Sequence, residues 1–496
     1  MEVSGVVSVA LDTTARKAPR GVAEARDPLV RSFVLLALAL AALRFVALSR
    51  WSLWLDEALT LADSRGGGIE ANPLGYALFA WFYGLAPGRP DELLLRLPAA
   101  VFGLASILAT LWAFGPFLGP RAAALAAFFQ SASVWQLYWS QNARFYTLVQ
   151  VLALLGGGVL LRGLYGGSSA RTAGGIALLA LAALTHPSAA FLIAPLFCVP
   201  WIARWLDWVP ERVVHTRAWS LFALAGLVTL GIGSGWALRA WLRWEARQGS
   251  GDPLHFVLTA GYLITPTLGL SACLGALRGA RARESFVPVV AALLGLGGAL
   301  MASLFVRVSA QYVFVLQPWL AACAALAFVP RAGVEAPESP ATRRRLTWLA
   351  LLVALPGLVE SGLYFTVRHG DRPRWREAYA YVFEHRGPRD LVLGMEAPVA
   401  EYYLNPESYA LRRWTEVTWL DDFRSRLPLE WARYGRRIWF VVNQTQLDDW
   451  TRQPASREHR AEFERILREE CQAVARFEVP LTPRDLDVQV YVTRAP

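Results

Sequence analysis

Trp51-Ser52-Leu53-Trp54-Leu55-Asp56-Glu57-Ala58-Leu59-Thr60-Leu61-Ala62-Asp63 follows directly on the first long apolar run, residues 31–49, and sets how the rest of the chain is counted. Read as a helix, it places Asp56, Thr60 and Asp63 at i, i+4 and i+7 on one face, with Trp54, Leu55, Ala58, Leu61 and Ala62 as an apolar flank. Such a helix lies along a membrane surface. Its carboxylates could accept a proton from a hydroxyl, bind a metal, or simply be solvated.

The next segment, Asn72-Pro73-Leu74-Gly75-Tyr76 through Leu85-Ala86-Pro87, offers Asn72 as a helix cap and Pro73 as a first helical residue. Its apolar run of about 13 residues falls short of the roughly 20 needed to span. It therefore reads as a second interfacial helix, and the first outer loop extends over residues 50–97, ending in Arg96-Leu97-Pro98. Counting it as a span would turn every later loop over and put Arg343-Arg344-Arg345 outside.

At 496 residues, 55% hydrophobic, 18% charged and a mean hydropathy of +0.34, the chain is too apolar for a soluble protein of its size. Eleven spans are expected, at 31–49, 98–117, 121–139, 146–162, 172–186, 187–204, 218–237, 257–276, 286–306, 313–330 and 346–366. The net charge of +10 comes in clumps between apolar runs, which fits membrane orientation and excludes a nucleic-acid-binding face. Lys17 is the only lysine. Residues 1–30 mix both charge signs and read as a disordered cytoplasmic lead. The four cysteines form neither a disulfide framework nor a metal cluster.

From a cytoplasmic N-terminus, Arg121, Arg162, Arg171, Arg204, Arg212, Arg217, Arg278, Arg281, Arg283, Arg331 and Arg343-Arg344-Arg345 fall inside. Arg144, Arg239, Arg243, Arg247 and Arg307 fall outside, against that bias, and an anionic ligand at the outer surface would account for them. Past Phe365 the composition becomes that of a soluble domain. Residues 374–385 read as a helix, 390–393 and 437–442 as strands, 456–472 as a charged helix and 488–492 as a closing strand. The expected architecture is thus an α-helical polytopic membrane protein, residues 31–366. Interfacial helices lie in its first outer loop, and a small extracytoplasmic α/β domain follows at 367–496.

An ordered set of motifs adds to this. Asp56-Glu57 follows the first span, Asn72-Pro73-Leu74-Gly75-Tyr76 lies in the same loop, and Arg96-Leu97-Pro98 opens the second span. Gln141-Asn142-Ala143-Arg144-Phe145-Tyr146 follows the third, Leu184-Thr185-His186-Pro187 the fifth, and Gln311-Tyr312-Val313-Phe314-Val315-Leu316-Gln317-Pro318 comes late. Over residues 31–385 this order resembles the C-type membrane glycosyltransferases related to protein O-mannosyltransferases and aminoarabinose-lipid A transferases. Arg374-Trp375-Arg376-Glu377-Ala378-Tyr379 fits their bacterial branch.

The resemblance implies transfer of a sugar from a polyprenyl-phosphate carrier to a lipid, glycan or protein acceptor hydroxyl, at the outer face of a bacterial inner membrane. Asp56 is the expected base, with Glu57 orienting the acceptor or sharing the role. Donor-phosphate contacts are expected from Arg144, Arg307 and Gln311, and substrate contacts from Asn142, Tyr146, His186 and Tyr312. A single displacement would invert the anomeric carbon. No cofactor is firmly implied: many relatives carry a second carboxylate in the second outer loop, where this chain has Gln141, Asn142 and Arg144, and that weakens a divalent-metal site.

Each residue also has a plainer reading. Arg144 and Arg307 could anchor helix ends to lipid headgroups, and His186 could cap a broken helix. Trp51, Trp54, Trp135, Trp139, Trp241 and Trp244 fit an interfacial belt. The alternative function is a lipid or glycan transporter or flippase, which would gather its polar groups near mid-membrane; here they gather at the outer ends of spans.

Overall fold

The computed structural model describes residues 27–66, 68, 72–86, 88–209, 211–243, 251–329, 339–388, 390–394, 397–404, 417–418, 437–445, 447, 454–482 and 484–494. The expected cytoplasmic lead, apart from its last residues, and Arg247 of the fourth outer loop lie outside them. The principal helices are α1 Pro28–Ala42, α2 Leu55–Gly66, α3 Pro73–Tyr83, α4 Glu92–Ala132, α5 Val134–Ser140, α6 Tyr146–Gly166, α7 Ser169–Thr185 and α8 Ala190–Trp205. They continue with α9 Arg217–Arg243, α10 Pro253–Ile264, α11 Pro266–Gly279, α12 Phe286–Ala302, α13 Gln317–Leu326 and α14 Pro340–Thr366.

α1 starts three residues before the expected boundary because Asp27 caps it, accepting from Leu29 N at 3.0 Å, with Pro28 in the first turn. Asp27 also meets Arg121 and Arg343, each at 3.6 Å. The starts of α1 and α14 therefore share one end of the bundle with the middle of α4.

That middle is a reversal. Gly119, at φ 83 and ψ 160 between Pro116 and Pro120, folds α4 back on itself. Thr110 Oγ1 consequently donates to Gln130 Oε1 at 2.6 Å, which twenty residues of straight helix would hold about 30 Å apart. Ser106, Gln130, Gln136 and Gln150 extend this buried network, and Gln150 donates to Phe314 O at 3.1 Å.

Among the described residues, five helices are long and apolar enough to cross a membrane: Pro28–Phe45, Glu92–Ala132, Tyr146–Gly166, Pro187–Trp205 and Pro340–Thr366. Leu227, Leu230 and Ile232 of α9 are 67, 71 and 72% exposed, an apolar face suited to lipid. The expected single span at 257–276 is instead two helices, α10 and α11, bent by 94°. Pro266 opens α11 without an N–H and disfavours helical backbone at the residue before it, and Thr265 stands at the break with φ 65 and ψ 142. Together that pair would make a sixth span. The 72–87 segment forms only the 11-residue α3, and Asn72 makes no side-chain cap.

Close helix approach depends on small residues. A Cβ on Gly275 of α11 would come within 1.8 Å of Cys323 O in α13, and Gly279 one turn later meets Leu326. Gly275→Val is expected to destabilise the detergent-solubilised protein by about 1–3 kcal/mol, read as a lower unfolding midpoint. An unchanged midpoint would contradict this packing.

After α14 the chain forms α15 Trp375–His385, β1 Leu391–Gly394, α16 Ala397–Leu404, β2 Val417–Thr418, β3 Ile438–Asn443, α17 Pro454–Glu469, β4 Cys471–Phe477 and β5 Val488–Thr493. The sheet order is β2-β1-β3-β5-β4, parallel in β2-β1-β3 and antiparallel from β3 onward. β3 is buried on both faces: Trp439 and Val441 meet α15, while Phe440 and Val442 meet α17. The helix expected over 456–472 ends at Glu469, because Cys471 and Gln472 pair with Thr493 and Val492 of β5. α16, β2 and β4 had no counterpart in the sequence reading.

Candidate active site

The start of α2 carries Asp56 and Glu57 in its first turn, where the helix dipole favours negative charge. Adjacent residues diverge by about 100° around a helix, and these two point into different surroundings. Glu57 is wholly buried. Arg96 grips it with a two-pronged contact, Nε to Oε1 at 2.7 Å and Nη2 to Oε2 at 2.8 Å. Arg372 Nε reaches Oε2 at 3.2 Å, and the backbone N–H groups of Ala143 and Trp54 donate at 2.9 and 3.3 Å. Burial alone would raise the Glu57 carboxyl, but Arg96 and Arg372 outweigh it and hold it down at about 2. Glu57 is therefore an ionised carboxylate engaged on both oxygens.

Asp56 is half-buried and interacts electrostatically with Arg144, in the turn after α5. Arg144 Nη1 donates to Thr60 Oγ1 at 2.9 Å and approaches Asp56 O at 3.5 Å. Burial would lower the Arg144 guanidinium; Asp56, Tyr146 and Tyr76 together outweigh this and raise it. One helical turn beyond Thr60, Asp63 Oδ2 accepts from Tyr76 OH of α3 at 3.1 Å. Burial raises the Asp63 carboxyl, with Tyr76 and Arg144 acting against it. Asp56, Thr60 and Asp63 thus share the face expected from their spacing, with Arg144 across from it. Arg144 Nε is buried and makes no hydrogen bond.

Beside Arg144 lies an aromatic group. The His186 ring is 4.9 Å from Tyr146, 5.8 Å from Phe145 and stacked on Tyr312 at 6.0 Å. His186 Nδ1 accepts from Ser188 N at 3.1 Å, so the histidine does cap the turn after α7. Asn142 is fully buried, and neither its Oδ1 nor its Nδ2 has a hydrogen-bond partner. Arg307 Nη2 stands 3.4 Å from His255 Nε2 of α10, and Gln311 lies half-buried in the 3-10 turn that carries Tyr312. Among the described contacts, neither Arg307 nor Gln311 bonds to Asp56, Glu57 or Arg144.

Two residues central to this geometry are not among the site residues expected from the sequence. Arg96 figures there as the end of a loop and in the Arg-Leu-Pro motif that opens the second span, without a role of its own. Arg372 has no local signal at all. Among the described residues no three His, Cys, Asp or Glu side chains gather in one place, and the charge facing Asp56 is a guanidinium.

No protein-family profile matches the sequence, and neither does any curated protein. Solved structures do match in fold. ArnT from Cupriavidus metallidurans bound to undecaprenyl phosphate superposes with a TM-score of 0.51 at 15% identity, covering 94% of this chain and 98% of that one. The apo oligosaccharyltransferase of Archaeoglobus fulgidus gives 0.56 at 11% identity, over 84% and 70%. The oligosaccharyltransferase AglB from Archaeoglobus fulgidus, with an inhibitory peptide and a dolichol phosphate, gives 0.51 at 12%, over 77% and 64%. The chain therefore shares the fold of ArnT and of these archaeal oligosaccharyltransferases.

Proposed function

We propose that the protein is a multi-pass membrane glycosyltransferase that moves a sugar from a polyprenyl-phosphate carrier to an acceptor hydroxyl at the outer face of a bacterial inner membrane. The observation that carries this reading is the polar face of α2, with half-buried Asp56 held opposite an arginine that retains a buried, unbonded Nε. The fold shared with ArnT and AglB, whose structures hold undecaprenyl phosphate and dolichol phosphate, supports the class of carrier.

In this reading Asp56 takes the acceptor proton as the acceptor oxygen bonds to the anomeric carbon. The bond from that carbon to the phosphate oxygen breaks on the opposite side, and its electron pair leaves on phosphate. One displacement gives inversion. Phosphate is a competent leaving group, so charge neutralisation suffices, and Arg144 supplies it through a planar fork. Arg307 and Gln311 would serve the donor phosphate from the other side, with Asn142, Tyr146, His186 and Tyr312 contacting substrate. Glu57, saturated by Arg96 and Arg372, organises the site, and the base role belongs to Asp56 alone. No step calls for a metal. The N-terminus is cytoplasmic, and the domain after α14 is outside.

The test is transfer from a panel of radiolabelled polyprenyl-phosphate sugars to membrane lipid, glycan or protein acceptors by purified protein. Product with inverted anomeric configuration is expected, and export of a lipid or solute without transfer would replace this reading with transport. Arg144→Gln is expected to weaken binding of unlabelled polyprenyl phosphate by about 10- to 100-fold, the loss of one charge-assisted contact. An unchanged Kd would remove Arg144 from the donor site.

A further inference from the structure

Between the 3-10 turn Leu43–Phe45 that follows α1 and the start of α2, residues 46–54 form neither helix nor strand, and much of their polar backbone is engaged by side chains from far along the chain. Arg96 bonds Leu48 O at 2.7 Å, Trp51 O at 3.0 Å and Ser52 O at 2.8 Å. From the segment after α14, Arg376 Nη2 bonds Ser49 O at 2.9 Å and Glu92 Oε1 at 2.7 Å, and Arg376 N donates to Ser52 Oγ at 3.1 Å. Tyr403 OH of α16 accepts from Leu53 N at 2.7 Å and donates to Glu92 Oε1 at 3.0 Å. Ala58 of α2 packs into the core of the C-terminal domain with Trp375 and Val399. The helix carrying Asp56 is therefore held on one side by the membrane bundle and on the other by the tail.

Arg372 is the node of this arrangement. It is fully buried, and its guanidinium reaches four elements at once: Glu57 Oε2 at 3.2 Å, Gln141 O at 2.7 Å, Tyr364 OH at 3.0 Å and Gly370 O at 2.7 Å. Tyr364 OH in turn donates to Gln141 Oε1 at 2.9 Å. Glu57 is the neighbour of Asp56, and Gln141 opens the turn that carries Asn142 and Arg144. One side chain thus bonds to both segments whose separation sets the distance between Asp56 and Arg144.

We infer that Arg372 is a positioning residue of this site, through which the segment leaving the last span holds the Asp56 helix and the Arg144 turn in register. The inference rests on the function proposed above for Asp56 and Arg144. A purely structural ion pair with Glu57 would need only a positive charge. A spacer needs the planar fork, because an ammonium cannot serve four acceptors lying in these directions.

Arg372→Lys separates the two roles, since it keeps the charge and loses the fork. It is expected to fold, to keep KM and polyprenyl-phosphate Kd within about twofold, and to lower kcat by about 10- to 100-fold, the cost of displacing aligned groups by about 1 Å. Tyr364→Phe, which removes one anchor of the guanidinium and keeps the ring, is expected to lower kcat severalfold in the same sense. It also answers the question if Arg372→Lys fails to fold. Unchanged kcat in folded variants would overturn the inference, as would a loss confined to KM.

Amide hydrogen exchange gives an arm independent of turnover. In Arg372→Lys, protection is expected to fall together in residues 55–66 and 141–146. Loss in neither segment, or in only one, would overturn the spacing role. Absence of transfer in the wild type with this joint loss intact would count against the glycosyltransferase reading and leave the coupling standing.

Discussion

Asp56→Asn is expected to lower sugar transfer by about 10² to 10⁴, with folding and polyprenyl-phosphate binding retained. The side chain is nearly isosteric, Asp56 is half-buried, and its carboxylate accepts no hydrogen bond among the described residues, so little structure depends on it. The acceptor hydroxyl then has no base, while Arg144 still receives the phosphate. The measurement is single-turnover transfer beside donor Kd. Retained turnover in a folded variant would move the base elsewhere on the polar face, with Asp63 the next group to examine.

Glu57→Gln is expected to fail differently, one residue away. The amide cannot neutralise Arg96 and Arg372, and breaking a buried ion cluster from one side costs about 3–5 kcal/mol. The folded yield and unfolding midpoint should fall, and activity should fall with the folded fraction. The pH dependence carries a sign. Glu57 sits near 2 in the fold against 4.5 in the open chain, so its contribution is complete above about 4.5 and is lost as pH falls toward 2. Wild-type stability should therefore drop over that acid range by more than that of Glu57→Gln. Parallel acid profiles, or a stable Glu57→Gln that lacks only turnover, would show that Glu57 does chemistry.

The contrast between these neighbours marks how far a linear reading reaches. The shared face of Asp56, Thr60 and Asp63 was legible because helical period is a local property, and the structure reproduces it with Arg144 opposite. Asn142, Tyr146, His186 and Tyr312 could be singled out as polar or aromatic residues at the ends of apolar runs. That Tyr146, His186 and Tyr312 would group beside Arg144 could not. The break at Thr265 was legible in principle from Pro266, but apolar composition alone favoured one continuous span. β4 was hidden because Glu469-Glu470-Cys471-Gln472 prolongs a charged helical pattern, and only pairing with β5 makes it a strand.

Composition, the spacing of apolar runs and the clumped arginines were enough to read a mostly helical polytopic membrane protein with a polar loop after its first span and a small sheet late in the chain. Burial in lipid leaves a mark on every twenty residues of chain, so no partner need be known to read it. Which of two adjacent carboxylates is free for chemistry, and which arginines hold the other, depended on contacts between residues 39 and 315 positions apart. Such contacts leave no periodic trace. Their strength comes from removing water around charges that only the folded chain brings together.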